Sequence, residues 1–91
     1  MPDYIGVQHK MALSDIIVID KIEILEDETI QVRRARRIFD GGELVAERYH
    51  RTIFVPTTPL NDIPFPRVRA IANLIWTPQV IQAYRDKIGA G

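Results

Sequence analysis

Three runs of sequence decide the fold: residues 16–25 (IIVIDKIEIL), 29–39 (TIQVRRARRIF) and 44–55 (LVAERYHRTIFV). Thr29 and Val32 favour strand in the second run, whose arginines tolerate helix, so its pairing with the neighbouring runs decides it. The first two are separated by Glu26-Asp27-Glu28 and the last two by Asp40-Gly41-Gly42-Glu43. Short acidic and glycine-rich breaks of this kind join antiparallel neighbours, so the pattern predicts a three-stranded β-meander.

Register follows from the turns. Gly41-Gly42 suits a two-residue type I′ hairpin, in which both central residues take positive φ. Asp40 then faces Glu43, Ile38 faces Val45, Arg36 faces Glu47, Arg34 faces Tyr49 and Ile30 faces Ile53. A three-residue loop at Asp27, Glu28 and Thr29 sets Ile24 against Val32, Ile22 against Arg34 and Asp20 against Arg36, with Glu23 meeting Arg33 on the opposite face. Opposite charges opposed in this way contribute about 0.2–1 kcal/mol per pair. The reading gives two faces. The expected core face carries Ile16, Val18, Ile22, Ile24, Ile30, Val32, Ile38, Val45, Tyr49, Ile53 and Val55, crossed by Asp20, Arg36 and Glu47. The other carries Ile17, Ile19, Leu25, Ala35, Phe39, Leu44, Ala46 and Phe54 among basic residues, enough apolar surface to suggest a partner.

Working outward, residues 1–13 show no periodicity and read as a flexible arm, with Met11 an alternative start. Residues 14–91 read as one α+β domain: a sheet over 15–55, a connector over 56–66 and two short helices within 67–88. The connector holds four prolines and reads as stiff and extended. Pro66 suits the first position of a helix over 67–76, with Val68, Ile71, Ala72 and Ile75 on one side. Thr77-Pro78 restarts the chain as N-cap and first helical residue, Val80, Ile81, Tyr84 and Ile88 share a face, and Gly89 is the expected stop.

Bulk properties bound the function. The chain has 91 residues, 46% of them hydrophobic, with 12 Lys plus Arg against 12 Asp plus Glu and a net charge of zero. A domain this small has a thin core and gains from oligomerising. Zero net charge argues against a general nucleic-acid or membrane-surface binder. With no cysteine, thiolate nucleophiles, disulfides and Cys-based metal sites are excluded. Two histidines, His9 and His50, are too few for a histidine-rich zinc site in one chain. Neither a membrane span nor a signal-peptide core is visible. These features point to a protein made in a cytoplasm, with no cofactor.

The densest cluster is Arg33, Arg34, Arg36 and Arg37. With Tyr49 and Trp76 it suggests a phosphate-binding patch, but in a strand these arginines divide between two faces, where Asp20, Glu23 and Glu47 stand ready to neutralise them. Across the strands His50 is expected to meet Arg33, a cation that cannot orient it as a general base, and it reads as structural or interfacial. The acidic Glu26-Asp27-Glu28 lacks the spacing of a calcium loop and reads as a solvated hairpin tip. Trp76, between the helices, reads as a core plug, with an interface anchor as the alternative.

Met11-Ala12-Leu13-Ser14, residues 19–26 (IDKIEILE), 30–33 (IQVR), Tyr49-His50-Arg51, and Trp76-Thr77-Pro78 with Ala83-Tyr84 together resemble a group of small proteins encoded by tailed bacteriophages, cyanophages among them. The resemblance is one of overall pattern and implies a virion or tail-associated role, in the virion or the host cytoplasm, with no catalytic residue to carry over. The resulting expectation is a non-enzymatic structural or accessory protein that self-associates or meets other virion proteins. Candidate contact residues are Ile19, Phe39, Leu44, Phe54 and Trp76, with the edge over 16–25. The alternative is a small nucleic-acid-binding or host-modulating protein using Arg33, Arg34, Arg36 and Arg37.

Overall fold

The computed structural model describes residues 13–90. Three strands, β1 (Leu13–Ile24), β2 (Ile30–Asp40) and β3 (Glu43–Phe54), form one antiparallel sheet in the order β1-β2-β3. Two C-terminal helices follow, α1 (Pro66–Ile75) and α2 (Pro78–Ala90). This is the α+β meander with two helices that the sequence predicts. The expected arm and the alternative start at Met11 lie outside the described residues, except that Leu13 already belongs to β1. Within this architecture the chain forms two compact units. Residues 13–20 join Arg33–His50 in one, the arginine unit; Lys21–Val32 joins residues 51–90 in the other, the helical unit.

The helical unit holds nearly all of the dry core. Ile30, Val32, Phe54, Ile63, Val68, Ala72 and Trp76 are buried. Fully burying an aliphatic side chain of this size contributes about 1.5–3 kcal/mol, so Ile30, Ile63 and Val68 dominate its stability. Phe65 meets Phe54 edge-on, with ring centroids 6.2 Å apart. The expected core face therefore needs correction: Ile16, Ile24, Val45, Tyr49 and Ile53 are exposed, whereas Phe54, expected on the partner face, is in the core. Towards the end of β3 the alternation is plain, with Phe54 buried, Thr52 half-buried, and Ile53 and Arg51 exposed.

The proline connector is less extended than expected. A 3₁₀ turn at Leu60–Asp62 folds it, and Ile63 follows fully buried. The Ile63 carbonyl accepts from Arg69 Nε and Nη2 at 3.2 and 3.1 Å. Pro66 opens α1 as its first residue, where its missing N–H costs nothing. Val68 and Ala72 are buried and Ile71 and Ile75 half-buried, as the periodicity requires. Thr77 caps α2: its Oγ1 accepts from Val80 N at 3.2 Å. Gly89 does not end that helix, which runs to Ala90. Positive φ among the described residues is confined to Glu28, Gly41 and Gly42, so Gly89 lacks the left-handed conformation of a glycine stop.

The two hairpin turns differ. Gly41 and Gly42 have φ of +59° and +88°, the type I′ conformation the sequence predicts. The first turn has the expected three-residue length but sits one residue earlier, at Glu26, Asp27 and Glu28. Glu28 N donates to Leu25 O and Leu25 N to Thr29 O, both at 2.9 Å, with Glu28 at φ +69°. That is a type I turn closed by a left-handed bulge residue. It is not a freely solvated tip. Trp76 Nε1 donates to Glu28 O at 2.7 Å, and Lys87 Nζ donates to Asp27 Oδ2 at 2.9 Å. Trp76 is thereby a core plug with its one polar atom satisfied.

Candidate functional site

The arginine unit has a different construction. Ala35 is its one buried residue among those described. Around it, on one face of the sheet, five side chains form a closed circuit. Arg33 grips Asp20 bidentately, Nε to Oδ1 at 3.0 Å and Nη2 to Oδ2 at 2.8 Å. Arg37 Nη2 approaches the same Oδ2 at 3.9 Å while its Nε donates to Glu47 Oε2 at 2.7 Å. Tyr49 donates its hydroxyl proton to Glu47 Oε1 at 2.8 Å, and the Arg33 guanidinium lies 4.4 Å from the centre of the Tyr49 ring. Two cations, two anions and one ring thus partner one another completely. Since alternate residues of a strand share a face, Arg33, Ala35 and Arg37 are placed together by their spacing of two.

The circuit sets the protonation of its members. The Arg33 hydrogen bonds hold the Asp20 carboxyl below its ordinary value, against the opposing effect of burial. Arg37, and then the Tyr49 hydroxyl, do the same for Glu47. Donation to Glu47 raises the Tyr49 phenol. Outside the circuit, Arg36 Nε donates to Asp15 Oδ1 at 3.0 Å, and that pair lowers the Asp15 carboxyl. Asp15, Asp20 and Glu47 therefore all carry negative charge at neutral pH.

The pairing corrects the expected register. Arg37, not Arg36, meets Glu47; Arg33, not Arg34, meets Tyr49; Arg33 and Arg37, not Arg36, meet Asp20. Glu23 pairs with Lys21 of its own strand at 3.5 Å rather than with Arg33. Side-chain partners on β2 and β3 thus stand one residue away from those that the two-residue tip predicts. Arg34 is half-buried and engaged in an interaction of its own. The Arg-x-Ala-x-Arg spacing was the available signal for the circuit, but charge matching alone did not separate Arg36 from Arg37.

The remaining expected contact residues divide. Phe54 and Trp76 are buried and Ile19 and Phe39 are half-buried, so Leu44 is the apolar one that stands exposed, at 47%. Sequence reading undervalued Ile17 and Val45, exposed by 62% and 55%. His50 is exposed on β3. No group of three His, Cys, Asp or Glu among the described residues is placed to hold a metal ion. No helix of the described residues is long and apolar enough to cross a membrane. No known family model matches the chain, and neither a curated protein nor a solved structure is similar to it.

Proposed function

We propose that this chain is a non-enzymatic structural or accessory protein that works through protein contacts and self-associates. One observation carries the reading: the arginine unit presents Leu13, Ile16, Ile17, Leu44, Val45 and Tyr49 at 45–62% exposure. They stand on strands whose outer members, β1 and β3, are the two edges of the sheet. Long edges with apolar side chains are what a second chain pairs with or packs on. The pattern resemblance to small proteins of tailed bacteriophages supports a virion or tail-associated setting.

The arginine-strand alternative has less support. Arg33, Arg36 and Arg37 each already hold a carboxylate, and a phosphate would have to displace it. Light scattering on a sizing column, with absorbance followed at the nucleic-acid and protein maxima, tests the proposal. The expected result is a closed oligomer free of nucleic acid. A monomer at the highest soluble concentration overturns it, and a monomer carrying nucleic acid transfers the function to the arginines.

A further inference from the structure

We infer that the partner on β3 is a second copy of the same strand, running antiparallel about a two-fold axis at Tyr49. This rests on the self-association reading above and specifies its interface. β3 is the more open edge: every residue from 41 to 51 is exposed, and on one side of the strand Val45, Tyr49 and Ile53 are exposed by 55%, 52% and 58%. Interleaved with them on that side are Glu47 and Arg51.

A two-fold pairing that preserves the face of each side chain has its axis on a residue, so the possible registers are few. With the axis at Tyr49, Glu47 opposes Arg51 twice, Val45 opposes Ile53 twice, and the two tyrosines face each other. Every residue on that side then meets one of complementary kind. Moving the axis to Glu47 opposes two carboxylates; moving it to Arg51 opposes two guanidiniums. An axis at Arg48 sets Glu47 against Tyr49 and Val45 against Arg51, and one at His50 sets Glu47 against Ile53. On the other side of the strand the Tyr49 axis brings Ala46 to Thr52 and Arg48 to His50, with no like-charged carboxylates opposed. The β1 edge offers less. A two-fold at Val18 would set Asp15 against Lys21, but Asp20 would oppose Ile16.

The chain contains no cysteine, so introduced thiols have no competitors. Directly opposed residues of an antiparallel pair have Cα atoms about 4.5–5.5 Å apart, within the range of about 4.4–6.8 Å that a disulfide spans. Three variants are made: Val45→Cys, Ile53→Cys and Tyr49→Cys. Under mild oxidation Tyr49→Cys is expected to become a covalent dimer. Val45→Cys alone is expected not to, since its two copies would lie about 27 Å apart, and Ile53→Cys behaves likewise. Mixing Val45→Cys with Ile53→Cys is expected to give the mixed dimer. This second arm leaves the Tyr49 contacts untouched, and so stands even where Tyr49→Cys disturbs the arginine unit. If light scattering shows an oligomer but the mixture fails to cross-link, the β3 interface is wrong and self-association survives. If Val45→Cys cross-links with itself, the register is wrong. A monomer at all concentrations removes both proposals.

Discussion

The same three strands are stabilised in two different ways along their length. In the helical unit, Ile30, Ile63, Val68 and Ala72 are 0% exposed, and the sheet is covered by apolar side chains from elsewhere in the chain. In the arginine unit, long polar side chains on the sheet partner one another around Ala35. Apolar burial is non-directional and scales with area. The circuit instead depends on geometry, since ion pairs near the surface are screened and individually weak. The contrast teaches that a strand can be specified by charge placement where no layer covers it, at the expense of leaving apolar neighbours such as Ile17 and Val45 in water.

The comparison breaks first at Ile30. Ile30→Ala deletes a fully buried side chain and is expected to cost about 2–5 kcal/mol, read as a lower urea midpoint with unchanged slope. Stability of a small domain is only about 0.05–0.15 kcal/mol per residue, so the loss is a large share of the total and the midpoint shift is expected to be the largest of the substitutions considered. A loss below about 1 kcal/mol would mean that the helical unit is not where stability resides.

The two hairpin turns sharpen it next. Gly41 and Gly42 take positive φ without steric cost, whereas Glu28 takes +69° with a Cβ that resists it. Glu28→Gly is expected to stabilise the protein by about 0.5–1 kcal/mol, net of the greater freedom glycine gives the unfolded chain. The Trp76 hydrogen bond is made to the Glu28 main chain and survives the change. A destabilised variant would show that the Glu28 side chain supplies a contact stronger than the strain it imposes.

Carboxylates provide the third handle. Asp27 is lowered from 3.8 to about 2, first by Lys87 and then by Thr29. A carboxyl depressed on folding contributes stability that is fully present above its unfolded value and lost as pH falls through its folded one. Stability is therefore expected to decline between about pH 4 and pH 2. Lys87→Met is expected to shrink the part of that decline due to Asp27, read from urea midpoints across the titration. An unchanged profile would sever Asp27 from the fold. Asp20 and Glu47 are lowered too and act in the same direction, so the Lys87→Met profile keeps a residual slope that belongs to the arginine unit.

Legibility from sequence followed the same division. Strand and helix existence was readable because period-two and period-three-to-four patterns are local, and the Gly41-Gly42 and Thr77-Pro78 signals act within a few bonds. The core face was not readable, because both faces of the sheet carry isoleucines and only tertiary cover distinguishes Ile30 from Ile53. Ile63 was hidden among prolines, where composition speaks for a connector rather than an anchor. The circuit was half readable. Its carboxylates and arginines were visible as candidates, but Arg37 rather than Arg36 reaches Glu47, and nothing in the residue types separates those two neighbours. Trp76 was recoverable as a plug; its acceptor, a backbone carbonyl 48 positions away, was not.

The smallest expected effect is the most discriminating for the arginine unit. Leu44 is 47% exposed beside the Gly41-Gly42 turn. If the arginine unit is held by its charges, Leu44→Ala in dilute solution removes little buried area and is expected to change stability by no more than about 0.5 kcal/mol. The same variant at high concentration is informative in the other direction. Should Leu44 be covered by a neighbouring copy, the variant loses stability only where the protein is associated, because a partner that binds the folded form stabilises it by mass action. A loss of about 2 kcal/mol or more in dilute solution would mean that Leu44 belongs to a dry core within one chain. The division between a unit built on apolar cover and a unit built on paired charges would then have to be abandoned.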